Sequence, residues 1–187
     1  MALTAVFSQI MIPLPLITPV PINLALLAVW ICGGLLGAKK GAIAMVVYIL
    51  LGAVGVPVFV GMNAGLGALA GPTGGYILGY LPSVIVMGLM LGRAREEAAS
   101  KKNAKYFALT IAKGLPAMAA CYLPGTAWFI IVTGVGFWES LFMCVIPFIP
   151  GDVLKVVAAA AVCEALRKPM RSLARTVWRG GEGGNVL

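Results

Sequence analysis

Apolar residues run in long unbroken blocks along this chain. They show neither the two-residue alternation of a half-buried strand nor the polar stripe of a surface helix. The blocks fall at residues 1–12, 24–36, 42–56, 73–91, 106–133 and 152–166. Their connections alternate in character. Residues 13–21 carry Pro13, Pro15, Pro19 and Pro21 and no charge, and residues 57–72 are Gly-rich and uncharged. Residues 37–41 form a short turn with Lys39 and Lys40, and residues 93–105 are hydrophilic. Residues 137–146 are too short for a separate span and read as an amphipathic piece dipping into the membrane face.

A membrane span takes about 20 residues. The blocks therefore predict an all-α membrane protein of six transmembrane helices, one domain over residues 1–167. A basic tail over 168–187 follows, fraying from Gly180 to Gly184. Composition agrees: the chain is 61% hydrophobic and 11% charged, where soluble domains have roughly 45–50% and 25%. Residues 1–12 lack a basic lead-in and a small-residue cleavage site, so they read as a first span and not as a signal peptide.

The net charge of +8 would fit a nucleic-acid partner, but its distribution argues otherwise. Twelve of the 14 Lys and Arg residues sit at three places. These are Lys39 and Lys40; Arg93, Arg95, Lys101, Lys102 and Lys105; and Arg167, Lys168, Arg171, Arg175 and Arg179. Positive residues stay on the cytoplasmic side, which puts both termini inside and the uncharged loops outside. The basic clusters are topology signals and contacts for anionic lipid. Lys113, the other isolated intramembrane cation, reads as snorkelling inward.

Asp152 and Lys155 then stand out. Pro150 and Gly151 punctuate a helix start, Asp152 falls in its first turn, and Lys155 shares its face. Charges in a span cost about 2.5–3.5 kcal/mol each on insertion scales, so they face a cavity or one another. Two readings stand: a structural i,i+3 ion pair, or the polar end of a small-molecule pocket open to the outside under the Pro- and Gly-rich loops. Asn63, among glycines, is either a turn residue or a donor and acceptor for an amide- or urea-like group. Tyr76, Trp128 and Trp138 are interface rings, one or two of which would serve as walls for a flat ligand. Gly33, Gly37 and Gly41, like Gly71, Gly75 and Gly79, repeat every four residues as close helix packing requires.

Other chemistries find no support. Gly65-x-Gly67-x-x-Ala70 matches a dinucleotide fingerprint only formally, because no βαβ unit surrounds it. The chain has no His, no paired intramembrane carboxylates, and no Cys-x-x-Cys among Cys32, Cys121, Cys144 and Cys163. Catalysis, a metal centre and a bound cofactor are not expected. Without a nucleotide motif, the chain alone cannot couple transport to ATP.

Several segments, in order, resemble the BioY family. They are Pro19-Val-Pro21-Ile, Leu35-Leu-Gly37, Gly52-x-x-Gly55-Val-Pro57-Val-Phe59, Gly71-Pro-Thr-Gly-Gly-Tyr76 and Pro147-Phe-Ile-Pro-Gly-Asp152-x-x-Lys155. The resemblance covers about residues 1–167. It implies a substrate-binding (S) component of an energy-coupling factor (ECF) vitamin importer in the bacterial plasma membrane. Such a protein has six helices, takes biotin from outside, and works with a transmembrane coupling subunit and two cytoplasmic ATPases. By resemblance, Asn63 and Asp152 bond the ureido head, Lys155 serves the carboxylate, and Tyr76 is a wall. Where the family usually has Thr-Leu-Gln, this chain has Asn23-Leu24-Ala25, so Asn23 is the candidate for the displaced polar contact. The alternatives are a related ligand such as lipoate, a lone facilitator, or a membrane scaffold whose ion pair is only structural.

Overall fold

A computed structural model describes residues 1–12, 20–97 and 104–181, with the backbone alone for 91–97, 104–111, 113, 164 and 167–181. Lys101, Lys102, the side chain of Lys113 and Pro13, Pro15 and Pro19 fall outside this description. The elements are α1 (Ala2–Gln9), β1 (Met11–Ile12), β2 (Ile22–Asn23), α2 (Ala25–Ala53), a 3-10 turn (Val60–Met62), α3 (Gly65–Ala70), α4 (Gly74–Glu97), α5 (Ala104–Thr133), α6 (Phe137–Cys144) and α7 (Ile149–Gly181).

α2 runs through what the sequence divides into two spans, and the division is real. Gly37 has φ 78° and ψ 173°, outside helical space. A Cβ built on Gly41 would lie 3.5 Å from the Cα of Gly33, whereas eight residues of straight helix advance about 12 Å. Trp30 bonds Ser83 while Tyr48 packs on Tyr80, so both halves lie along the same stretch of α4. α2 is therefore a helical hairpin with Gly37, Lys39 and Lys40 at its tip. Only a residue free to take positive φ allows so tight a reversal.

α4 and α5 pack through the predicted glycines. Cβ atoms at Gly75 and Gly79 would meet Trp128 and the Cys121 carbonyl at 2.2 and 2.7 Å, the close approach that small residues permit. α5 continues unbroken through Pro116 and Pro124, although proline removes a backbone donor and usually breaks a helix interior. Such prolines are tolerated in apolar helices because neighbouring groups re-satisfy the freed carbonyls. α7 crosses α5 at Gly114, where an added Cβ would sit 2.3 Å from Val156.

Two corrections to the sequence expectation follow. The first apolar block yields an eight-residue helix and then a two-residue strand paired with β2. At about 12 Å, α1 is too short to cross a bilayer. The tail expected from residue 168 is helical to Gly181, and residues 182–187 lie outside the described part.

Apolar side chains cover the exterior: Ile43, Leu50, Leu89, Leu123 and Ile131 are exposed, while Ser83, Thr126, Ser140, Asp152 and Lys155 are buried. This inversion of the usual order identifies a protein surrounded by lipid. Among the described residues, Ala25–Ala53 and Gly114–Thr133 are long and apolar enough to cross a membrane, the first being the α2 that folds back at Gly37, and α6 with the start of α7, bent by 51°, passes as one broken span. One end of the bundle carries residues 9–12, 20–24, 54–73 and 134–148; the α2 tip lies at the other.

Candidate functional site

The loop-rich end is built to hold a cavity open. Asn23 accepts a hydrogen bond from the Ala25 N–H at 3.0 Å and so starts α2. The 3-10 turn carries Gly61 and Met62 in the left-handed region and delivers Phe59 and Asn63 to one wall. α3 closes over the top, and the Trp128 indole N–H donates to the Gly71 carbonyl at 3.0 Å. Pro21, Asn23, Asn63, Gly67, Tyr76 and Tyr80 are among the walls of the resulting cavity, about 430 Å³ in volume. Ligand sites for small molecules run about 300–1,000 Å³.

A second cavity of about 40 Å³ adjoins the first, sharing Val20, Pro21, Asn23, Tyr76 and Tyr80 with it. It reaches Tyr122, Asp152 and Lys155. Asp152 is 1% exposed and Lys155 7%. Asp152 Oδ1 accepts from Lys155 Nζ at 2.6 Å, and Oδ2 accepts from Tyr122 Oη at 2.5 Å. Both carboxylate oxygens therefore have a donor, which keeps a buried charge tolerable. The two readings of this pair are thus not exclusive. It is a bonded brace between α5 and α7, and it is also the end wall of a cavity.

The predicted residues gather well, with one exception. Asn23 and Tyr76 line both cavities, Asn63 the larger, and Asp152 and Lys155 the smaller. Asn63 Nδ2 donates to the Val60 carbonyl at 2.8 Å. Its Oδ1 has no partner among the described residues, so it is free to accept from a guest. Tyr76 is oriented by a 3.1 Å hydrogen bond between its hydroxyl and that of Thr126. Trp128 is the correction: it lines neither cavity. Its ring lies behind α4, against Gly75, and its N–H holds the end of α3. Trp128→Phe is expected to lower stability by about 0.5–1.5 kcal/mol, the net worth of one hydrogen bond. Thermal unfolding in detergent measures it.

Sequence reasoning missed Tyr80, Phe59 and above all Tyr122. The available signal was chemical. A carboxylate buried in an apolar bundle needs more donors than one lysine supplies, and Tyr122 carries a hydroxyl inside the apolar run of α5.

The BioY family model matches residues 1–172. A probable biotin transporter BioY of Pyrococcus horikoshii is 35% identical over 89% of this chain and 90% of its own length. Biotin transporters BioY of Rhizobium etli and Thermotoga maritima are each 34% identical over 89% of this chain and 91% and 90% of theirs. The crystal structure of the S-component for biotin from an ECF-type ABC transporter superposes with a TM-score of 0.78 at 28% identity, covering 89% of this chain and 86% of that one. Family match, relatives and fold agree over nearly the whole length, and the chain belongs to the BioY family.

Proposed function

We propose that this chain is the biotin-binding S component of an ECF-type importer, a transport subunit and not an enzyme. The observation that carries the proposal is a cavity of about 430 Å³ under the loops, adjoined by one of about 40 Å³ that reaches the Asp152–Lys155 pair. Its relatives are biotin transporters. The walls suit the ligand: Asp152 and the free Oδ1 of Asn63 accept the ureido N–H groups, Lys155 serves the carboxylate, and Tyr76, Tyr80 and Phe59 enclose the apolar body. Asn23, bonded to its own helix start, borders both cavities and bounds the ligand at their junction.

In this proposal six helical segments lie in the bacterial plasma membrane and five of them cross it. Two of them are the halves of α2; α1, the sixth, enters from the outer face and reaches only part way, its N-terminus pointing toward the cytoplasm, and the C-terminus is cytoplasmic. The tip lysines and the basic ends of α4, α5 and α7 then share the inner face, as the charge rule requires. A coupling subunit and two ATPases supply the energy, since the chain has no nucleotide motif.

Titration with biotin tests the reading. Lys155→Ala is expected to weaken binding by about 1.5–3 kcal/mol, roughly 10- to 150-fold. Biotin at 100 times its Kd should stabilise the folded chain by about 2.7 kcal/mol. Binding of lipoate in preference to biotin would move the site to the related ligand. No stabilisation by either compound would leave a membrane scaffold as the better account.

A further inference from the structure

One side chain outside the cavity brackets the turn that forms its wall. Gln9, the last residue of α1, donates from Nε2 to the Phe59 carbonyl at 3.0 Å. Its Oε1 accepts from the Met62 N–H at 2.8 Å. A single amide thus holds both ends of residues 59–62 from 50 residues away. Next to it, Ser8 Oγ and Tyr48 Oη both donate to the Val58 carbonyl, at 2.7 and 2.9 Å.

The bracketed turn is an unfavourable one. Gly61 has φ 69° and Met62 φ 59°. Met62 is the one residue other than glycine with positive φ among the described residues. L side chains rarely hold this conformation, and it persists only where the surroundings impose it. Packing does not impose it here, because Met62 is 64% exposed. Hydrogen bonds are what remain, and the one on the Met62 N–H comes from Gln9. The next residue is Asn63, and Phe59, Val60 and Asn63 all line the larger cavity.

We infer that Gln9 is a positioning residue for the ligand: it fixes the left-handed Gly61–Met62 turn that sets Phe59 and Asn63 in the cavity wall. The inference rests on the biotin-binding reading above. Gln9 itself touches no ligand, so its effect passes through the turn. A merely space-filling role would be kept by a side chain of the same length, and a positioning role would not.

The test is biotin titration of the full chain in detergent, alongside Gln9→Met, Met62→Gly and the double variant, with thermal unfolding of each in the absence of biotin. Gln9→Met keeps the length of the stem and removes both hydrogen bonds to the turn, together with those from the amide to the Ala5 carbonyl and Ser8 Oγ within α1. It is expected to weaken biotin roughly tenfold, the equivalent of about one net hydrogen bond. Glycine at 62 makes the left-handed turn inexpensive without the bracket. Adding Met62→Gly should therefore bring the Gln9→Met affinity back to within about threefold of the unmodified chain. Equal affinity in Gln9→Met and the unmodified chain overturns the inference while leaving the biotin reading intact. A loss that Met62→Gly does not recover also overturns it, since the effect would then not run through the turn. If the unmodified chain binds no biotin, the functional reading falls and this inference falls with it.

Discussion

Asp152→Ala is expected to abolish biotin binding and to lower stability by about 3–5 kcal/mol, the cost of leaving one member of a buried ion pair unpaired. The geometry gives the reason for both losses. Asp152 takes a proton donor on each oxygen, Lys155 at 2.6 Å and Tyr122 at 2.5 Å. Removing the carboxylate strands a lysine that is 7% exposed and deprives a buried tyrosine hydroxyl of its acceptor. It also removes the acceptor proposed for the ureido N–H groups. A second variant separates bracing from binding. Asp152→Asn with Lys155→Met removes both charges while keeping shape and the Tyr122 acceptor. Stability should return to within about 1 kcal/mol of the unmodified chain, because neutral replacement of a buried pair is often cost-free. Binding should stay lost by at least about a hundredfold, since two charged contacts are gone. Thermal unfolding in detergent and direct titration read the two effects. If the neutral pair binds biotin at full affinity, Asp152 and Lys155 are bracing alone.

Much of this arrangement was legible in the sequence because it is local. Pro150, Gly151, Asp152 and Lys155 lie within one helix start, so punctuation, dipole and face followed from spacing. The hairpin was legible from Gly37 and Gly41 enclosing two lysines, because a turn between apolar blocks must be short and wet. What escaped depends on which helices meet. Tyr122 becomes the partner of Asp152 only once α5 lies against α7, 30 residues on. Trp128 looked like a wall because an aromatic near a membrane interface is amphipathic whichever way it points. Its direction is set by Gly75, whose missing side chain gives the Trp128 Cβ its room. α1 was overextended because its apolar run continues through Met11 and Ile12, and only pairing with Ile22 and Asn23 turns those two residues into a strand. Gln9 drew no attention for the same reason: its partners in the turn are 50 and 53 residues away in a loop with no periodicity.

Gly88→Ala is expected to lower stability strongly although it lies outside the cavity. A Cβ there would lie 2.4 Å from the Ala38 nitrogen, 2.6 Å from its Cα and 2.7 Å from the Gly37 carbonyl carbon. All three are backbone atoms, so no side chain can rotate away and the α2 tip must move as a body. Overpacking of this kind costs about 1–3 kcal/mol and occasionally more. The upper part of that range applies, because the tip is already fixed by the reversal at Gly37 and cannot yield separately from the two half-helices behind it. Those half-helices carry Trp30 and Tyr48 into the core against α4. Displacing the tip therefore loosens both, and through the Tyr48 bond to the Val58 carbonyl it reaches the loop that lines the cavity. Gly151→Ala is the control. It has nothing within 4 Å of an added Cβ and no positive φ, and replacing glycine in a helix by alanine gains up to about 1 kcal/mol. Thermal unfolding of the two variants should move in opposite directions. Equal stability of Gly88→Ala and the unmodified chain would mean that the hairpin tip does not sit on α4, and with it would go the paired half-helices on which the whole bundle is assembled.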